Sequence, residues 1–191
     1  MGRGVPVDQH YLPIETLLEM AESLYLFVNL FSDYEQTSRD YGAGEQMTMT
    51  AIHILAAVDE NPGISGAQLA EKFFCTTSAI SQILTMLEKQ GYIIRLTEKG
   101  HSKRKMNFPT KLGKKLCNAH RDFDIQSLSK TYNYLLRDCT PDEIVTFYKV
   151  LQVYNNIMMA GRRKRIRLRR EEAERAATPL YNKDATGQEN S

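Results

Sequence analysis

The chain has 191 residues, 42% of them hydrophobic and 25% charged, the balance of an ordinary globular protein with room for one substantial core or two small ones. Its net charge is only +2, so overall charge does not announce a polyanionic partner. No apolar run reaches the roughly 20 residues of a membrane span, and the first dozen residues lack signal-peptide architecture. Three widely spaced cysteines, Cys75, Cys117 and Cys139, argue against a disulfide scaffold and for a reducing compartment. A cytoplasmic protein without a membrane partner is expected.

Charge is nevertheless segregated. Arg95 to Lys115 holds eight bases (Arg95, Lys99, Lys103, Arg104, Lys105, Lys111, Lys114 and Lys115) against one acid, Glu98. A second block, Arg162 to Arg170, holds seven more and no acid. Such clustering is expected where one face meets a polyanion.

In chain order, Ile14, Leu17, Leu18, Ala21, Leu24, Tyr25, Val28 and Phe31 recur at three- and four-residue steps, which predicts a long amphipathic helix. Near Leu24 to Phe31 it is apolar almost all round, so it calls for cover from its own domain and from a partner. Residues 39–45, with Gly42 and Gly44, read as a loop. Residues 47–58 read as a helix stopped by Asn61-Pro62-Gly63. Residues 65–73 read as a second helix, its start fixed by Ser65 and Gln68 in a capping-box pattern. After a break at Phe74-Cys75, Thr76 caps a third helix through Ile80, Ile83, Leu84 and Leu87, ended by Gly91.

Residues 92–96 are then β-like, residues 98–103 form a polar tip, and residues 105–108 return as a strand. From Thr110 to about Leu136 the pattern is helical again. Thr140-Pro141-Asp142-Glu143 opens a last helix, with proline at its first position and acids in its first turn. The basic block extends that helix over residues 161–177, and residues 178–191 read as a disordered tail.

Two short helices with a tight break between them, followed by a basic hairpin, make a winged helix-turn-helix. The fold class is therefore mainly α with a small β-hairpin wing. Residues 46–110 form the winged unit, and residues 12–40 and 111–160 are long flanking helices. A recognition helix enters the major groove with short polar side chains near its N-terminal end. Thr76, Thr77, Ser78, Ser81 and Gln82 supply that surface, with Ser65 at the start of the preceding helix. Gln82 suits bidentate pairing with adenine, whereas hydroxyls select poorly. Arg95 and the wing bases Lys103, Arg104 and Lys105 are placed for phosphate or the minor groove. The expected partner is double-stranded DNA.

The stretch Leu69 to Ile93, "LAEKFFCTTSAISQILTMLEKQGYI", resembles the recognition unit of the MarR family of bacterial regulators. Its Leu69-Ala70-Glu71, its Thr76 to Ser81 segment and its Leu87-Glu88-Lys89-Gln90-Gly91-Tyr92-Ile93 match the family pattern. So do Arg95, which opens the wing, and Thr110-Lys111-Leu112-Gly113 beyond it. The resemblance spans about residues 12 to 160 and is specific in the centre. It implies a homodimer through the N- and C-terminal helices, a pseudo-palindromic operator and repression. It also implies a small aromatic or phenolic effector, with Tyr25, Phe31 and His53 near its pocket. One departure is Ser102-Lys103-Arg104, where family members commonly carry Asp-x-Arg, so the carboxylate that buttresses the wing arginine is missing.

Other readings stand beside this one. A winged-helix adaptor for proteins would use the same fold. An enzyme finds no support, since there is no Gly-rich phosphate loop, no GxSxG and no nucleophile paired with a base by spacing. No cofactor is expected. His10, His53, His101 and His120 show no metal-ligand spacing. Cys75, just ahead of the third helix, reads as a small buried residue rather than a redox sensor. The block Arg162 to Arg170 reads as a solvated helix supported by pairs such as Arg167–Glu171, with contact to DNA or another partner as the alternative.

Overall fold

The structure, a computed structural model, describes residues 12–42, 44–98 and 101–177, without the side chains of residues 98, 101–104, 176 and 177. The tail expected over 178–191 lies outside the described residues. The chain divides into two units, with the boundary after Leu128.

In the first unit, helix α1 (Ile14–Gln36) buries none of its residues. Two short strands follow, β1 (Arg39–Asp40) and β2 (Gln46–Met47), paired antiparallel. From sequence alone, residues 39–45 read as a loop. The turn is held because Asp40 Oδ1 accepts from the amides of Gly42 and Gly44 at 2.7 and 3.0 Å, and that brings the flanking residues into register. Helix α2 (Met49–Glu60) starts two residues later than periodicity suggests, because Thr48 is its N-cap and accepts from the Ala51 amide. Thr50 Oγ1 donates to Glu35 Oε1 at 2.7 Å, which ties α2 to α1.

Strand β3 (Ile64–Ser65) leads into helix α3 (Gly66–Lys72), and helix α4 (Thr77–Lys89) follows. The wing is formed by β4 (Ile93–Glu98) and β5 (His101–Pro109). Both strands are longer than expected, and β5 takes in residues 101–103, expected in the tip, where the pairing shifts register between Thr97 and Glu98. β5 lies in the middle of a three-stranded sheet of order β3-β5-β4. Asn107 is buried at its centre and donates from Nδ2 to the Ile64 carbonyl at 2.6 Å.

The core joins Ile52, Leu55 and Val58 of α2, Leu69 of α3, Ile80, Leu84 and Leu87 of α4 and Ile93 of β4. Leu116 and Cys117 of α5 (Lys111–Leu135) complete it. Each large apolar side chain so covered contributes about 1.5–3 kcal/mol. The core therefore lies under α4 and fixes which side of that helix faces out.

The second unit contains the end of α5 and the 37-residue helix α6 (Pro141–Ala177). Thr140 accepts from the Glu143 amide, while Glu143 Oε2 accepts from the Thr140 amide and hydroxyl at 2.8 and 2.7 Å. This capping box holds the Glu143 carboxyl below its ordinary range, chiefly through the Thr140 backbone N–H. The basic block does continue this helix.

Candidate nucleic-acid interface

The interface is built on α3, the turn after it, α4 and the wing. Ser65 Oγ accepts from the Gln68 amide at 3.3 Å, and Gln68 Oε1 accepts from the Ser65 amide at 2.9 Å. Both halves of the expected capping box are therefore formed. Ser65 itself is only 4% exposed, so it positions α3 rather than offering its hydroxyl to a groove.

The turn between the helices closes on two amides. Cys75 N donates to the Ala70 carbonyl at 3.1 Å and Phe74 N to the Glu71 carbonyl at 3.4 Å. With Phe74 at φ 56, this is a Schellman closure that uses phenylalanine where glycine is usual. Cys75 is half-buried against the core, and its Sγ donates to the Phe73 carbonyl at 3.3 Å.

Thr76 caps α4 by accepting from the Ala79 amide at 3.1 Å. Because Ile80, Leu84 and Leu87 face the core, the opposite side is left to Thr77, Ser78, Ser81 and Gln82, all exposed together with Thr76. Thr85 and Lys89 continue this polar stripe one and two turns on, beyond the polar residues the sequence pattern points to. Their signal was available, since they lie seven and eleven residues after Ser78. At the far end, Gly91 N donates to the Glu88 carbonyl and Tyr92 N to the Leu87 carbonyl, and the chain turns directly into the wing.

Arg95 is placed differently from expectation. Its Nε donates to Glu88 Oε2 at 2.7 Å, and its side chain is 13% exposed. The guanidinium is thus spent on holding β4 against α4, not aimed at solvent. Lys105 is exposed on β5 opposite Thr97. The backbones of Lys103 and Arg104 belong to β5, but their side chains lie outside the described residues. Lys111, Lys114 and Lys115 add exposed cations on the first turns of α5.

A second cluster surrounds His53. A cavity of about 270 Å³ between α2 and α5 is lined by His53, Asp59, Cys117, His120, Arg121 and Asp124 among others. The His53 and His120 rings meet edge to face at 5.0 Å, and Tyr41 packs on His120 at the same distance. His120 Nε2 lies 3.4 Å from Asp124 Oδ2. Burial lowers the His120 pKa, Asp124 opposes that shift, and His53 adds to it. Burial pushes the Cys117 thiol up to about 12, which keeps it protonated and unreactive. Tyr25 is 70% exposed and Phe31 46% exposed on α1, and neither lines this cavity. Among the described residues, no three His, Cys, Asp or Glu side chains form a metal-binding group. No described helix is long and apolar enough to cross a membrane.

Residues 47–104 match the model of the MarR family. The Bacillus subtilis protein YhjH, an uncharacterized HTH-type transcriptional regulator, is 32% identical over 107 residues, which cover 56% of this chain and 60% of that protein. The match thus spans about three fifths of that relative's length. Among solved structures, Streptococcus pneumoniae FabT in complex with DNA has a TM-score of 0.56 at 17% identity, over 78% of this chain and 99% of that one. The MarR family transcription regulator SP03579 reaches 0.62 at 19% identity, over 78% of this chain and 94% of its own. The family match falls on the recognition unit just described, and the fold likeness extends well beyond it. Residues 47–104 of this chain are thus similar to the MarR family, and its fold is that of the MarR family structures.

Proposed function

We propose that this protein is a sequence-specific, DNA-binding transcriptional regulator of the cytoplasm, without catalytic activity. The observation that carries the reading is the exposed stripe Ser78, Ser81, Gln82 and Thr85 on α4, opposite the buried Ile80, Leu84 and Leu87. A helix held in this way presents hydroxyls and an amide to base edges, with the wing beside it for the phosphate backbone.

The functional form is a homodimer. α1 exposes Leu17, Leu24, Phe27, Val28, Leu30 and Phe31, more apolar surface than an isolated helix keeps in water. A second copy covers it by two-fold symmetry. Two recognition helices then meet successive major-groove turns of a pseudo-palindromic operator, about 34–36 Å apart. The output is repression, relieved when a small ligand, aromatic or phenolic, binds one spacing of the two helices better than the other.

The test is a fluorescence-anisotropy titration against DNA from upstream of the gene, with a scrambled duplex as control, at two salt concentrations. Preference for the native duplex with strong salt dependence supports the reading. Equal, salt-insensitive binding to neither or both points to a protein adaptor instead.

A further inference from the structure

The block Arg162 to Arg170 has no counterpart in the recognition unit. From Glu143 to Glu171 the chain carries no acid between those two residues, yet it carries Lys149, six arginines and Lys164. All of this lies on one helix, α6, with residues 163–170 exposed. At about 1.5 Å per residue, the block begins about 30 Å along α6 from Pro141 and runs for about 12 Å.

Within the block, like charges also stand one turn apart. Arg163 and Arg167, and Arg165 and Arg169, are like-charged pairs at i,i+4 spacing, and each such pair disfavours the helix. Arg167 forms an ion pair with Glu171 at 3.5 Å. An anion laid along the block would relieve the repulsion. The two apolar residues inside it, Ile166 and Leu168, are two positions apart and so point about 200° away from each other. That leaves no apolar stripe for a lipid surface, which an interfacial helix requires. Cations on every side, mostly guanidinium groups suited to bidentate phosphate contact, match a ribbon of phosphates instead.

We infer that the Arg162–Arg170 segment of α6 is a second, sequence-independent DNA-contacting surface that binds phosphates of duplex DNA. The inference rests on the DNA-binding reading above. It adds a contact that raises affinity without changing which sequence is preferred.

The test uses the full chain and an extended mixed-sequence duplex, titrated by anisotropy from about 50 to 200 mM salt. In one variant Arg163→Gln, Lys164→Gln, Arg165→Gln and Arg169→Gln are combined, glutamine being chosen because it keeps helix propensity. A second variant carries Arg163→Lys, Arg165→Lys and Arg169→Lys. Losing even the four contacts of one copy should flatten the slope of log affinity against log salt by about 3 or more and weaken binding at least about tenfold at low salt. The lysine variant should keep the wild-type slope. An unchanged slope in the glutamine variant overturns this inference alone, as does an equal loss in the lysine variant, which would assign the effect to helix packing. Loss of binding to phosphatidylserine vesicles with an unchanged duplex slope reassigns the block to a lipid surface and overturns it too. A wild-type chain that binds no duplex at any salt fails the DNA-binding reading, and this inference with it.

Discussion

Arg95 Nε donates to Glu88 Oε2 at 2.7 Å, so the first strand of the wing is clamped to the last turn of the recognition helix. Arg95 Nη2 also lies 3.4 Å from Thr85 Oγ1 on the same helix. Strand β4 and helix α4 are thereby joined by a charge-assisted hydrogen bond, which fixes their relative register. A double-mutant cycle with Arg95→Ala and Glu88→Gln in urea should give a coupling energy of about 1 kcal/mol. That is the upper end for exposed pairs, because Arg95 is largely covered. Additive losses would show that the clamp does not contribute to stability.

Gly113 sits where a Cβ would overlap the Tyr92 carbonyl oxygen. That carbonyl already accepts from the Thr110 amide at 3.0 Å and from the Thr110 hydroxyl at 3.2 Å. The start of α5 is therefore pressed onto the entry to the wing, and backbone has no room to yield. Gly113→Ala should cost about 3 kcal/mol. Gly91 differs, since its φ is +77 but nothing lies within 4 Å of a Cβ there. Gly91→Ala should cost only the left-handed strain, about 1–2 kcal/mol. Equal shifts in urea midpoint for the two variants would contradict this distinction.

The contrast shows what a sequence conveys and what it withholds. Thr76 as a cap, Ser65 with Gln68 as a capping box and Gly91 as a helix end are local devices, and each was readable from neighbours within four residues. β3 was not, because two residues carry no alternation and the strand exists only by pairing with residues 106 and 107. The same limit hides the Arg95–Glu88 clamp, whose partners lie seven residues apart on different elements. The Ser65 cap is legible locally, but its burial comes from packing that only the fold reveals.

The stripe on α4 divides by chemistry. Gln82 offers a donor and an acceptor in fixed geometry, while Ser78 and Ser81 offer hydroxyls that suit any base edge. Gln82→Ala should therefore lose about 1–3 kcal/mol of discrimination at one base pair per half-site and leave the salt slope unchanged. Lys105→Ala should do the reverse, reducing the slope by about 1.8 per dimer, about 0.9 for each copy, with base preference intact. A binding selection followed by salt titrations separates the two. If the variants behave alike, base readout lies elsewhere than on α4.

His120 makes stability depend on pH in a definite direction. Burial is the larger cause and lowers its pKa, His53 adds to the fall, and Asp124 opposes it. A base whose folded pKa lies below its unfolded value binds protons more readily when unfolded. Its contribution is therefore fully present above the ordinary histidine range and is lost as pH falls from there through the folded pKa. The urea midpoint should drop between about pH 7.5 and pH 5.5, and His120→Gln should flatten that part of the drop relative to wild type. Asp124→Asn removes the one group that favours the charged ring, so it should steepen the drop. Parallel curves for all three proteins would show that His120 does not contribute to the pH dependence of folding.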